Sequence, residues 1–168
     1  MATDFGLSLL AGPPKGQIDK WLADLDASVP ALQGHFRSIW MTDHFFWGGD
    51  PTYEAWVAMS FLAARFPAFE IGPMVLGQSY RNPALQALMA TTLQSLSHGR
   101  FIMGIGAGWK EDEYLAYGYP FPRAGIRIEQ LEETIIIFKK LWTEAGKISY
   151  EGKHYKVADA WCEPKPVP

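Results

Sequence analysis

The chain has 168 residues, 48% of them hydrophobic and 14% aromatic, and it carries a formal net charge of -3 at pH 7. This length predicts one domain, and the hydrophobic content is sufficient for a packed core, which argues against a disordered chain. The weakly acidic balance offers no basic surface, so neither nucleic acid nor an anionic membrane is expected as a partner.

The single cysteine, Cys162, excludes an internal disulfide framework and is typical of a protein in the reducing cytoplasm. The N-terminus shows no basic segment followed by a long apolar run, so no signal peptide is predicted. No apolar run reaches about eighteen residues, which argues against a membrane-spanning helix. We therefore expect a cytoplasmic protein without a membrane partner.

Hydrophobic periodicity predicts alternating strands and helices in the first part of the chain. Pro30 is expected to break or kink the first helix, and Asn82 and Pro83 are expected to cap and begin the third. In chain order, the predicted elements are a strand over 5–11, a helix over 17–34, a strand over 38–42, a helix from about 51 to 66, a strand over 69–77 and a helix from 83 to about 98.

The second part of the chain begins with an apolar run over 101–105, which predicts a fourth, buried strand. Acidic residues over 111–113 predict the start of a short helix, because negative charge is favoured there. A long helix over 123–142, a small hairpin over 148–157 and a coil in the last eleven residues follow. The core stripe of the long helix is predicted to contain Ile128, Leu131, Ile135, Phe138 and Trp142.

Strand and helix thus alternate four times, which predicts an α/β fold with a parallel sheet. In such folds, functional side chains lie at the carboxyl ends of the strands. We therefore expect four segments to share one rim of the sheet: Ser8 to Ala11, Asp43 with His44, Met74 to Gly77, and Gly106 to Glu111.

Gly104, Gly106 and Gly108 remove side chains from alternate positions at the end of the fourth predicted strand. The bare backbone permits close approach, either by a planar, anionic cofactor beside Trp109 or by neighbouring protein segments, and the spacing leaves both open. The spacing differs from the dinucleotide-binding fingerprint, and no Gly-Lys-Ser/Thr follows. Neither a Rossmann nor a P-loop site is therefore predicted.

Asp43 and His44 directly follow the second predicted strand. Histidine can exchange a proton near neutral pH, which makes His44 a candidate general acid or base. The alternative, that Asp43 caps the loop and His44 packs, is equally consistent with the spacing. No other histidine or cysteine lies at ligand spacing, so no metal site is predicted, and no G-x-S-x-G elbow indicates a serine hydrolase.

Six blocks of sequence carry a resemblance to a known family: 38–45 (SIWMTDHF), 80–84 (YRNPA), 92–100 (TLQSLSHGR), 104–109 (GIGAGW), 117–122 (YGYPFP) and 150–155 (YEGKHY). Their order and spacing, from about residue 4 to 168, are similar to those of the bacterial luciferase-like monooxygenase superfamily. Within it, they resemble the branch of oxidoreductases that depend on coenzyme F420, a deazaflavin. One block alone is a weak signal, whereas six in register are specific.

The resemblance implies a TIM-type (β/α)8 barrel that binds the cofactor ring at its C-terminal rim and transfers hydride to or from it. It implies a small-molecule substrate, with an FMN-dependent monooxygenase as the alternative. It also places a non-proline cis peptide in the third strand, near Pro73-Met74-Val75. Carried over by position, the catalytic acid or base is His44, and the cofactor-binding residues are Asp43, Met74, Val75, Gly106, Ala107, Gly108 and Trp109.

Several features depart from the family pattern, and the length of the chain is the largest departure. A complete barrel needs roughly 250 residues, so residues 1–168 are predicted to form an N-terminal half-barrel. It would have four βα units and a small β-hairpin after the fourth helix, and would end before the fifth strand. Its open sheet edges predict a homodimer or association with the missing C-terminal half. The alternative to an active enzyme is a non-catalytic half-barrel or one subunit of a split enzyme. The second departure is Trp109, which replaces an acidic residue of the sugar-phosphate dehydrogenase branch and argues against that activity.

Overall fold

The structure is a computed structural model that describes residues 3–166. The chain divides into two compact units. The first contains the chain up to Leu76 together with Arg100–Gly104, and the second contains Gly77–Gly99 together with the chain from Ile105 onward. Among the helices within residues 3–166, none combines the length and the apolar character that a bilayer crossing requires.

The first unit is built on a parallel sheet. Its elements, in chain order, are β1 (Gly6–Ser8), α1 (Ile18–Ser28), a 3-10 turn (Pro30–Leu32), β2 (Ser38–Met41), α2 (Ala55–Arg65) and β3 (Glu70–Pro73). The strands lie in the order β1-β2-β3, and Phe101 adds an isolated parallel bridge to Ile71 beyond β3. The predicted parallel arrangement is therefore confirmed for these segments, and the carboxyl ends of the three strands share one edge.

Two helix boundaries in this unit show how local chemistry decides where a helix begins or ends. The first helix stops at Ser28 and gives way to the 3-10 turn at Pro30, as the proline predicts. The second helix begins at Ala55, so the predicted start near Pro51 is wrong. The Glu54 carboxylate accepts a hydrogen bond from the Val57 N–H at 2.9 Å and acts as the N-cap, which leaves 51–54 as a loop.

The third predicted strand, over 69–77, is interrupted, and the fourth predicted strand, over 101–105, is shorter than expected as a result. It divides into β3 and β4 (Leu76–Gly77), and the Met74–Val75 peptide bond between them is cis, at the position that the resemblance implied. Ile102 N–H donates to the Ile71 carbonyl at 2.9 Å, and Leu76 N–H donates to the Gly104 carbonyl at 3.0 Å. The five-residue advance from Ile71 to Leu76 therefore lies opposite an advance of only two residues, from Ile102 to Gly104. Because of this bulge, the predicted continuous strand over 101–105 is replaced by the Phe101 bridge and a two-residue strand.

The second unit packs helices and a hairpin around a shared apolar core. Its further elements are α3 (Pro83–Leu96), β5 (Ile105–Gly106, which pairs with β4), α4 (Glu111–Ala116), α5 (Ala124–Thr143), β6 (Ile148–Glu151) and β7 (Lys156–Ala160). The predicted cap of α3 is confirmed, since Asn82 Oδ1 accepts from the backbone N–H groups of residues 84 and 85. Helices α3 and α5 pack together, and Trp142 Nε1 donates to the Ala87 carbonyl at 3.2 Å.

The buried stripe of α5 differs from the prediction. Phe138 is buried as predicted, but Ile128 is 51% exposed. Thr134, Ile137 and Leu141 are buried although the predicted stripe does not include them. Three consecutive isoleucines over 135–137 put apolar groups on several helix faces, so periodicity alone could not select the face that packs.

The predicted hairpin is confirmed as the antiparallel pair β6-β7. The predicted coil, however, starts later than expected, because β7 continues to Ala160, where it pairs with Ile148. Asp159 N–H also donates to Ser149 Oγ at 3.0 Å, which holds this end of the hairpin together. Residues 167–168 of the predicted coil lie outside the described residues.

A carboxylate on α5 anchors the hairpin turn. Glu133 accepts hydrogen bonds from three successive backbone N–H groups, those of Lys153 at 2.8 Å, His154 at 3.1 Å and Tyr155 at 2.9 Å. A Cβ at Gly152 would overlap this carboxylate in its observed position, so glycine leaves room for these hydrogen bonds. Charge-assisted hydrogen bonds of this kind are about twice as strong as neutral ones, so Glu133 is a strong polar link between α5 and the hairpin.

Replacing Glu133 by alanine is expected to lower the free energy of unfolding by about 2 kcal/mol, because three N–H groups lose a charged acceptor. Glu132→Ala is the matched control, since this neighbouring carboxylate is exposed. Urea unfolding measures the difference, and amide exchange at 153–155 locates it. Equal stability of the two variants would show that water replaces Glu133 without loss.

A second carboxylate makes the hairpin contact pH-dependent. The Lys153 ammonium at 2.8 Å and the His154 ring at 2.7 Å lower the pKa of Glu129 to about 2. A carboxylate with a folded pKa below its unfolded value stabilises the fold above the unfolded pKa of about 4.3, and this contribution is lost as pH falls toward 2. We expect a stability loss in that window that Glu129→Gln removes. Unfolding curves of both proteins at successive pH values would measure it, and parallel pH profiles would contradict it.

Candidate functional site

The loop after β2 holds the predicted acid–imidazole pair. Asp43 is buried, with 5% of its surface exposed, and His44 is half-buried. The His44 ring lies against Trp47, with centroids 5.1 Å apart and planes at 62°. Asp50 N–H donates back to the Trp47 carbonyl at 3.2 Å, so the loop closes on the tryptophan. His44 thus packs against Trp47 and also lines a cavity, and its role as an acid or base stays a prediction.

A cavity of about 430 Å³ lies at the carboxyl ends of β1 and β2. Its walls are residues 8–14 from the loop after β1 and residues of the loop after β2, including Thr42, His44 and Trp47. This volume lies within the range of roughly 300 to 1,000 Å³ that is typical of small-molecule sites. The described lining residues are mostly apolar, with hydroxyl groups and one carboxylate but no lysine or arginine.

The two loops that form the cavity are joined to each other. Tyr53 N–H donates to the Ala11 carbonyl at 2.8 Å, and Leu9 N–H donates to the Trp40 carbonyl at 2.9 Å. A Cβ at Gly12 would overlap the Pro51 carbonyl oxygen, so glycine allows this close approach. The walls of the cavity are therefore held by backbone contacts, which do not depend on side-chain rotamers.

Met74 and Val75 lie at the same edge of the sheet as Asp43 and His44. Met74 N–H donates to the Met41 carbonyl at 2.7 Å, which joins the segment after β3 to the end of β2. The Met74 and Val75 side chains are 54% and 47% exposed, and they form an apolar surface at this edge. The first unit therefore brings four of the predicted site residues to one edge, as the parallel sheet predicts.

One of the alternating glycines is explained by packing within the first unit. A Cβ at Gly104 would overlap the Pro73 carbonyl oxygen and lie 3.2 Å from Val75 Cγ1. Because glycine has no side chain, the backbone at Pro73 can lie close to the backbone at Gly104. Of the two alternatives left open by the spacing, contact with a neighbouring protein segment accounts for Gly104.

The predicted glycine turn, Gly106 to Trp109, lies in the second unit. Gly106 accepts a hydrogen bond from the Gln78 N–H at 3.0 Å, and Gly108 has a φ of +76°. A Cβ at Gly108 would overlap the Tyr114 hydroxyl, so this position requires glycine for two reasons. Ala107 is half-buried, and Trp109 is 65% exposed at the end of the turn.

The charged side chains after the turn pair with one another. Lys110 Nζ lies 2.5 Å from Asp112 and 3.7 Å from Glu113, and its contact with Asp112 lowers the pKa of that carboxyl. Glu113 is fully buried and accepts a hydrogen bond from the Tyr80 hydroxyl at 3.0 Å. The lysine charge is thus balanced locally, which weakens any role as a Schiff-base nucleophile or an anion-binding cation.

Sequence reasoning missed the buried residues that support the glycine turn. Gln78 and Tyr114 are fully buried, and the Tyr114 hydroxyl is hydrogen-bonded to Ser79 Oγ at 2.7 Å. A buried polar side chain is recognisable only from its partners, and these are distant in the chain. Among residues 3–166, no group of three or more histidine, cysteine or acidic residues is placed to hold a metal ion.

Residues 31–168 match the family model described as luciferase-like monooxygenase. The chain belongs to the luciferase-like monooxygenase family. Curated relatives include proteins named F420-dependent glucose-6-phosphate dehydrogenase from Amycolatopsis mediterranei, 32% identical over 146 residues, and Intrasporangium calvum, 35% identical over 149 residues. These alignments cover 84% and 85% of the chain but 44% of each relative, so the chain spans less than half their length.

Solved structures share the fold of the chain. The chain aligns over its full length with half of an F420-dependent secondary alcohol dehydrogenase, with a TM-score of 0.84 and 22% identity. It also aligns over 99% of its length with 47% of the F420-dependent tetrahydromethanopterin reductase of Methanopyrus kandleri, with a TM-score of 0.76 and 24% identity. At these identities, the structures support the fold alone.

Proposed function

We propose that the chain is the N-terminal, cofactor-binding part of an F420-dependent oxidoreductase. The observation that carries this proposal is the cavity of about 430 Å³ that His44 lines at the carboxyl ends of β1 and β2. Relatives at 32–35% identity are named as F420-dependent enzymes, which supports the same cofactor. Bound at this edge, a deazaflavin would supply hydride transfer.

The first unit fits a planar ring at this edge. The apolar surface of Met74 and Val75 is about half exposed, and covering it with a flat aromatic ring would remove it from water. Asp43 is buried directly before His44, where it can hold the loop in place. We propose that these residues contact the ring and that the His44 imidazole gives or takes the proton on the substrate oxygen.

In the second unit, we propose that Gly106, Ala107, Gly108 and Trp109 contact the cofactor's side chain. Support comes from the half-buried backbone of the turn and from the exposed Trp109 ring. Backbone N–H groups near glycine can approach phosphate or ribityl oxygens closely, and an aromatic face can shield them from water. This assignment is argued from the turn's own residues alone.

The lining of the cavity favours an uncharged substrate group. Its described residues include the hydroxyl groups of Ser8, Thr42 and Thr52 and the carboxylate of Asp50, but no lysine or arginine. A phosphate group would have no lysine or arginine partner there and would lie near the Asp50 carboxylate, whereas an alcohol or carbonyl group could hydrogen-bond and remain neutral. We propose a neutral alcohol or ketone as the group that reacts beside His44.

Fluorescence titration of the chain with F420 and with FMN tests the cofactor assignment. We expect F420 to bind about tenfold more tightly than FMN, and Val75→Asp to weaken F420 binding by at least about tenfold, which corresponds to about 1.4 kcal/mol. Val57→Asp is the control, because Val57 is 72% exposed on α2 of the same unit. Tighter binding of FMN would favour the monooxygenase alternative, and binding of neither would favour a non-catalytic half-barrel.

We also propose that another polypeptide segment covers the edges of the first unit's sheet. β1 is an edge strand, and the Phe101 segment on the other side is joined to β3 by an isolated bridge. Relatives are about twice as long as this chain, which supports the missing C-terminal half as the covering segment. A homodimer is the alternative, and the mass in solution distinguishes the two.

A further inference from the structure

We propose that Tyr155, on the β6-β7 hairpin, positions the glycine turn Gly106 to Trp109 through Gln78, so that the hairpin sets the turn's affinity for the cofactor. This inference rests on the proposed function, because it concerns the turn assigned there to the cofactor. The residues that carry it, Tyr155, Gln78 and Gly106, all belong to the second unit.

The turn cannot fix its own position. Glycines at 106 and 108 provide no side chains that could pack against the rest of the unit, and glycine has more backbone freedom than any other residue. The position of the turn therefore depends on groups that contact its backbone. Two such groups are the Gln78 N–H, which donates to the Gly106 carbonyl at 3.0 Å, and the Tyr114 hydroxyl beneath Gly108.

Gln78 is held on its other side by a polar cluster. Its side chain is fully buried, and its Oε1 accepts hydrogen bonds from the Tyr155 hydroxyl at 2.8 Å and from Thr134 Oγ1 at 3.4 Å. Its Nε2 donates to Gln130 Oε1 at 3.4 Å. The shortest of these bonds is the one to Tyr155, so the hairpin provides the strongest constraint on the Gln78 side chain.

Tyr155 is well suited to hold this position. Burial raises the pKa of its hydroxyl, which therefore stays protonated and donates at neutral pH. Its backbone N–H donates to the Glu133 carboxylate at 2.9 Å, which fixes the residue against α5. The path from α5 to the glycine turn thus runs through Tyr155 and Gln78 by hydrogen bonds of 2.8 to 3.0 Å.

Tyr155→Phe tests the proposal, because it removes one hydroxyl and keeps the ring. Tyr150→Phe is the matched control, since it removes a hydroxyl from the same hairpin. Amide exchange measured without any cofactor should become about fivefold faster at 106–109 in Tyr155→Phe alone, as expected for the loss of one hydrogen bond. The Kd for F420 should rise by a similar factor, again in this variant alone.

The two readouts separate the inference from the proposed function. Faster exchange at 106–109 without any F420 binding by the unmodified chain would support the positioning role and overturn the cofactor assignment. Faster exchange confined to the hairpin, or a lower free energy of unfolding with an unchanged Kd, would overturn the positioning role. Equal behaviour of the Tyr155→Phe and Tyr150→Phe chains would also overturn it.

Discussion

Replacing His44 by alanine is expected to lower kcat for F420-dependent turnover of an alcohol or ketone by about 100- to 10,000-fold, the usual contribution of a general acid or base. His44 lines the cavity at the carboxyl ends of β1 and β2, where the proposed function assigns its imidazole to proton transfer with the substrate oxygen. The Kd for F420 should change much less than kcat, because the proton transfer belongs to the transition state. Absorbance of the deazaflavin measures both.

His35→Ala is the control for this prediction, since His35 is an exposed histidine of the same unit. It should leave kcat and Kd unchanged. A His44→Ala protein that retains full kcat would show that His44 only packs against Trp47. A rise in Kd with an unchanged kcat would assign His44 to cofactor binding and not to proton transfer.

Gly108→Ala is expected to lower the free energy of unfolding far more than Gly118→Ala. Both glycines have a φ of +76°, so an alanine at either position incurs the same cost of about 1 to 2 kcal/mol for the left-handed conformation. At Gly118, the new Cβ would have no heavy atom of residues 3–166 within 4 Å. At Gly108, it would overlap the Tyr114 hydroxyl and lie 2.9 Å from Cζ. Overpacking of this kind adds about 1 to 3 kcal/mol.

Urea unfolding of the two alanine variants measures this difference directly. A Tyr114→Phe substitution in the Gly108→Ala background removes the overlapping hydroxyl, so it should recover part of the loss. In the unmodified chain, the same substitution should cost about 1 kcal/mol, because Ser79 loses its hydrogen-bond partner. Equal destabilisation at positions 108 and 118 would show that Tyr114 moves aside at little cost.

Much of the local structure could be read from the sequence because it depends on neighbouring residues. Asn82 and Pro83 set the start of α3, Pro30 ends the first helix, and the turn at Gly152 forms the predicted hairpin. The six sequence blocks also identified the family, which the match over residues 31–168 shows. Each of these signals is contained in a short stretch, so no tertiary contact is needed to recognise it.

Other features depended on contacts between distant residues. The sequence could not select the buried face of α5, because isoleucines occupy several of its faces. Nor could it show why glycine stands at 104 and 108. At these positions, the Pro73 carbonyl and the Tyr114 hydroxyl occupy the space that a Cβ would need. Nor could it show that His44 both contacts Trp47 and lines a cavity.

The sequence by itself therefore determined the alternation of strands and helices up to β3, the parallel pairing of β1 to β3 and the family, because periodicity, capping residues and short motifs are local properties. Only the tertiary structure decided which alternating glycines serve packing and which buried groups hold the glycine turn. The physical reason is that a hydrogen bond or a steric contact depends on distance in space, and residues such as Gln78 and Tyr155 are 77 positions apart in the chain.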